Sequence, residues 1–96
     1  MTDVSFIRRN IQPIAKRYGL HRIYLFGSYA KGSADEESDV DLLIEKGKPL
    51  SLLQLSGFRQ DVMDALGIDV DVVTTAGIEG AFYDVIRGTE VLLYEE

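Results

Sequence analysis

The chain has 96 residues, 46% of them hydrophobic, and a formal net charge of −6 from 16 acidic and 10 basic side chains. That length predicts one domain over residues 1–96 around a single modest core, which a partner or a bound ligand would stabilise further. The acidic balance argues against a general nucleic-acid surface, which needs clustered Lys and Arg, and no apolar run approaches the ~20 residues of a bilayer span.

Met1-Thr2-Asp3-Val4-Ser5 lacks the layout of a signal peptide, and without cysteine there is neither a disulfide nor a thiolate zinc site. A cytoplasmic protein is expected.

Val4, Ile7, Ile11, Ile14, Ala15 and Tyr18 recur three or four residues apart, the apolar stripe of a helix over residues 3–18. Thr2 or Asp3 can cap its start and Gly19 can end it. Pro13 has no backbone N–H to give, which predicts either a kink there or a helix that begins near it. Arg8, Arg9, Lys16 and Arg17 line the opposite face, as solvated charges or as a surface for an acidic partner.

Arg22 to Phe26 reads as a first strand, halted by Gly27-Ser28. Tyr29-Ala30-Lys31 predicts a short helical segment closed by Gly32. Ser33 to Ser38 is a polar loop whose charge run Asp35-Glu36-Glu37 reads as solvated. Val40 to Glu45 is a second strand and Lys46-Gly47-Lys48-Pro49 a turn.

Ser51 to Leu66 predicts the second long helix, with Leu52, Leu55, Phe58, Val62, Met63 and Leu66 on one stripe and Gly67 as the stop. Ile68 to Thr74 is a third strand, broken at Ala76-Gly77. A short helix over Ile78 to Arg87, with Phe82, Val85 and Ile86 inward, ends at Gly88. Glu90 to Tyr94 is a last, edge strand. This order predicts an α+β (or α/β) fold: a small mixed sheet of about four strands with helices packed on it.

Three features carry chemistry. Gly27-Ser28 lets the backbone approach a ligand and offers N–H groups and a hydroxyl to a phosphate, although alone it is equally an ordinary capped turn. Asp39 and Asp41 are two apart, so in a strand they point the same way and repel. Such a pair suits Mg²⁺, which takes one or two carboxylates plus phosphate oxygens and waters. Asp69-Val70-Asp71 repeats the pattern on the third strand. If that strand neighbours the second, one of its acids completes a triad. Asp71 is favoured because it lies within the strand, where a carboxylate is unusual unless paired or metal-bound.

The combination of Leu25-Phe26-Gly27-Ser28-Tyr29-Ala30-Lys31-Gly32, Ser38-Asp39-Val40-Asp41-Leu42-Leu43 and a third-strand Asp resembles the DNA polymerase β-like nucleotidyltransferase superfamily. Within it, the match is to the minimal nucleotidyltransferases (MNT proteins) and covers essentially the whole chain. The resemblance implies transfer of a nucleoside monophosphate from an NTP to a hydroxyl. It implies two Mg²⁺ ions about 4 Å apart, clamping the attacking and leaving oxygens. Asp39 and Asp41 would hold both ions. Asp71 would bind the catalytic ion and help deprotonate the acceptor. Gly27 and Ser28 would cradle the β- and γ-phosphates. Lys31 stands where the family often has Arg, which implies a cationic nucleotide contact without a bidentate fork.

MNT proteins of this size resemble antitoxins paired with HEPN-domain toxins, and the family role is AMP transfer from ATP to a toxin tyrosine. The resemblance therefore implies a HEPN-domain toxin as acceptor and complex partner, in a homo- or hetero-oligomer; charge and hydropathy predict no direct nucleic-acid or membrane contact. A non-catalytic antitoxin and a small-molecule nucleotidyltransferase are the alternatives. Intact carboxylates disfavour the first, and the want of an added acceptor-binding domain disfavours the second. Tyr29, Tyr83 and the apolar residues of Val91 to Tyr94 are candidate partner surface, although core packing accounts for most of them. His21, the only histidine, reads as structural, and Tyr18, Tyr24 and Tyr94 as packing residues.

Overall fold

A computed structural model describes residues 3–35, 37–45, 50–74 and 90–96. The first helix, α1 (Val4–Tyr18), starts where the Asp3 carboxylate accepts the Phe6 N–H at 2.9 Å. It stops at Gly19, whose φ of 68° is the left-handed conformation that ends helices. The helix does not begin at Pro13, which lies inside it. The helix runs through Pro13 because that residue lies on the exposed face, where water can serve the carbonyl one turn back.

Strands β1 (Arg22–Phe26) and β2 (Val40–Glu45) match the sequence expectation to the residue. Between them, α2 (Ser28–Lys31) is a single turn closed by Gly32. Helix α3 (Leu52–Leu66) opens with a reciprocal cap. The Ser51 hydroxyl accepts the Gln54 N–H at 3.1 Å, and the Gln54 side chain accepts the Ser51 N–H at 2.9 Å. Strand β3 (Val70–Thr74) begins two residues later than expected, and β4 (Val91–Glu95) one later. The expected turn over 46–49, the break at 76–77 and the short helix over 78–87 with Tyr83 lie outside the described residues.

The strands form one mixed sheet in the order β3-β2-β1-β4. β1 is antiparallel to both neighbours, while β2 and β3 are parallel. Alternation of side chains then sorts the residues by face. Ile23, Leu25, Val40, Leu42, Ile44, Val70 and Leu93 form one core with Ile7, Ile11, Ile14 and Ala15 of α1 and Phe58, Val62 and Leu66 of α3. Phe58 is fully buried and meets Tyr18 edge-on at 5.6 Å; its truncation to Ala would cost about 3–5 kcal/mol. Phe26 and Leu43 are buried on the opposite face, with Tyr24 and Val73 beside them.

The stripe expected of α3 fails at its start. Leu52 stays 86% exposed, because it sits in the first turn, before the helix reaches the sheet. The basic face of α1 is not simply solvated either. Arg8 donates to the Leu92 carbonyl at 3.1 Å and Gln12 to the Leu93 carbonyl at 3.4 Å, so α1 reaches over the backbone of edge strand β4. Arg17 pairs with Asp61 at 3.5 Å, and the Tyr18 hydroxyl donates to the same carboxylate at 2.8 Å. His21 is structural through its backbone: its N–H donates to Glu45 and its carbonyl accepts from Glu96. Next to it, Arg22 bridges Glu45 and Glu95, its register partners on both sides. Among the described residues no helix is long and apolar enough to cross a membrane.

Candidate active site

One end of the sheet gathers the residues singled out above. β1 ends in Phe26, and Phe26 is paired with Asp41 near the start of β2. Asp41 in turn faces Asp71 in the parallel register of β2 and β3. Val40 and Leu42 belong to the helix-side core, so Asp41 between them projects from the other face. The same holds for Asp71 between Val70, which is in that core, and Val72, which packs against it. Both carboxylates therefore lie on one face, one strand spacing apart. Val40 N–H donates to the Asp69 carbonyl at 3.0 Å, which locks the two strands together at this level.

Asp39 and Asp71 are exposed, while Asp41 is half-buried. Burial, then the charge of Asp71, then that of Asp39, push the Asp41 carboxyl above its usual range. Both other expected acids thus act on Asp41. Asp69 is exposed at the mouth of β3 and is not among the groups that shift Asp41. Register thus brings Asp71, and not Asp69, opposite Asp41.

Gly27 has φ 75° and ψ −153°, a backbone open to glycine and strained for other residues. A Cβ there would overlap the Asp41 carboxylate. Beyond it, the short helix folds the chain back: Lys31 N–H donates to the Gly27 carbonyl at 3.1 Å and Ser33 N–H to the Ser28 carbonyl at 2.9 Å. Ser28 is half-buried and Lys31 exposed. Ser28 therefore follows directly on the residue that packs against Asp41.

The loop leading to Asp39 has more order than a solvated charge run. The Asp35 carboxylate accepts the Glu37 N–H at 2.9 Å, and the Ser38 hydroxyl accepts the Asp35 N–H at 2.9 Å. Asp35 is thus used to turn the chain into β2. An acid followed two and three residues later by its own turn partners is the signal that could have identified it.

Hard carboxylate oxygens on adjacent strands, held together against their own repulsion, fit a divalent cation such as Mg²⁺ by donor chemistry and charge. Among the described residues no three acidic, His or Cys side chains are drawn closely enough together to be a ready-made metal site. Carboxylates without a counter-ion repel, so a cation would have to draw them in.

Comparison with known proteins adds a second line. Residues 7–90 match the family model described as "Nucleotidyltransferase domain". A Methanocaldococcus jannaschii protein, provisionally named a protein adenylyltransferase, is 38% identical over 89 residues, covering 93% of this chain and 96% of its own. The protein adenylyltransferase MntA of Thermococcus cleftensis is 32% identical over 75 residues, covering 78% and 76%. A solved structure provisionally described as a minimal nucleotidyltransferase superposes with a TM-score of 0.81 at 27% identity, over 94% of this chain and 95% of that one. A crystal structure of a toxin–antitoxin with AMP-PNP shares the fold at a TM-score of 0.80 and 24% identity, over 93% and 73%.

Proposed function

The chain belongs to the nucleotidyltransferase domain family, and from that premise we propose that it transfers AMP from ATP to a tyrosine hydroxyl of a HEPN-domain toxin, acting as the cytoplasmic antitoxin. The single observation that carries this reading is the register that sets Asp41 beside Asp71 on the sheet face away from α1 and α3. A relative named as a protein adenylyltransferase supports a protein acceptor, and a toxin–antitoxin structure of the same fold holding AMP-PNP supports both partner and nucleotide. One unit over residues 1–96 would carry the whole reaction.

In this reading the backbone N–H groups at Gly27 and Ser28, with the Ser28 hydroxyl, bind the β- and γ-phosphates, and Lys31 adds a cationic contact. Asp39, Asp41 and Asp71 would hold Mg²⁺, two ions by family chemistry, which supply positive charge to offset that of the triphosphate. Asp71, the exposed member of the facing pair, also takes the proton of the acceptor hydroxyl, whose oxygen bonds to the α-phosphorus as the bond to the β-phosphate breaks and diphosphate leaves. Catalysis by this chain is then positioning and charge balance.

The test is direct. ATP labelled in its α-phosphate is incubated with Mg²⁺, this protein and a HEPN-domain toxin from the same genome. The toxin should carry the label. An unlabelled toxin, or equal labelling by Asp39→Ala/Asp41→Ala, would sink the proposal. If that double variant still silences the toxin without labelling it, neutralisation by complex formation takes its place.

A further inference from the structure

We propose that Arg59 is a positioning residue: it grips the backbone of β3 and so holds Asp71 opposite Asp41. Among the described residues β3 pairs with β2 alone and stands at the edge of the sheet. The Asp69 carbonyl is turned to β2, where it accepts the Val40 N–H. Backbone groups alternate in direction along a strand, so the next carbonyl, that of Val70, is turned outward. Arg59 Nε donates to that carbonyl at 2.7 Å. The bond is charge-assisted, and it falls between Asp69 and Asp71.

The grip has a firm anchor. Arg59 follows Phe58 on α3, and both Phe58 and Val62 are fully buried. The load on it is also identifiable. Asp41 and Asp71 are direct register partners, and like charges in that relation repel. β2 is held from both sides by β1 and β3, so the strand free to yield is β3. Arg59 opposes that movement and brings a positive charge to the backbone beside Asp71. A purely structural bond would be indifferent to whether residue 71 is charged.

The catalytic consequence rests on the transferase reading given above, whereas the mechanical one does not. The test is a double-mutant cycle on the full chain, with Arg59→Gln, Asp71→Asn and the combination, read by thermal unfolding without divalent cations. Arg59→Gln should lower Tm by about 5 °C. In the Asp71→Asn background the loss should fall to less than half of that. Equal losses in both backgrounds would overturn the proposal. If Arg59→Gln does not fold, the same cycle with Arg59→Lys decides, since Lys keeps the charge but loses the fixed Nε donor.

In the transfer assay, Arg59→Gln should lower kcat about tenfold and leave the KM for ATP within about twofold, because the phosphate contacts lie on β1 and α2. Unchanged kcat would remove the positioning role. A wild-type protein that transfers nothing would instead refute the transferase reading and leave the unfolding cycle to decide on Arg59.

Discussion

Gly27 and Asp41 compete for one volume: a Cβ on Gly27 would overlap Asp41 Oδ2 and come within 3.2 Å of its Cγ. The carboxylate is thus fitted against bare backbone at the one turn of β1 where φ is also positive. Gly27→Ala should displace Asp41 and strain the turn together. We expect stability to fall by about 1–3 kcal/mol and AMP transfer to drop below detection. Denaturant unfolding and the labelled-ATP assay measure the two effects. A fully active Gly27→Ala protein would show that this contact does not govern the site.

Asp41→Asn should separate activity from stability. Loss of this carboxylate should cut transfer at least about 10²-fold, as removal of a key charge-stabilising group does. Yet the cation-free protein should become more stable at neutral pH, since burial, Asp71 and Asp39 all disfavour the Asp41 charge. The sign follows from linkage: the native carboxyl holds its proton more tightly than the unfolded one. Its favourable contribution is complete below the ordinary value of 3.8 and is lost as pH rises through the raised native value. The stability gap between Asp41→Asn and wild type, followed from pH 3 to 7, should widen with pH.

Tyr18 ties α1 to α3 through its hydrogen bond to Asp61. Tyr18→Phe should cost about 1 kcal/mol at pH 7. The bond to Asp61, then burial, raise the Tyr18 phenol above 10.0. The wild-type advantage should therefore persist below pH 10 and disappear as pH rises through the higher native value. Urea midpoints for the two proteins at pH 7, 9 and 11 test this, and a constant difference would contradict it.

Gly57 sits inside α3, where glycine weakens a helix by about 1 kcal/mol relative to Ala. A Cβ there would lie 3.0 Å from the Tyr18 hydroxyl. Gly57→Ala alone should therefore give little net gain. In the Tyr18→Phe background the obstacle is gone, and the same change should stabilise by about 1 kcal/mol. Equal effects in the two backgrounds would show that the hydroxyl imposes no constraint on α3.

Local chemistry in the sequence was enough for α1, α2, α3, the first two strands and the glycine turn after β1. The spacing of Ile7, Ile11 and Ile14, the alternation from Val40 to Glu45, and Gly19 and Gly67 as stops each involve neighbours a few residues apart. Leu52 was misread, and a helix start near Pro13 was left open, because the meaning of both depends on where a helix face meets the sheet. Period alone cannot say where along the helix that contact begins.

The choice of Asp71 over Asp69 needed a parallel neighbour strand in a fixed register. The roles of Arg8 and Gln12 needed the packing of α1 on β4, since their acceptor carbonyls lie 84 and 81 residues away along the chain. The sequence by itself determined which residues are acids, where turns fall and what class of chemistry they spell. Tertiary structure decided which acids face one another and what restrains them, because repulsion and hydrogen bonding act across space, between strands that chain order alone does not pair.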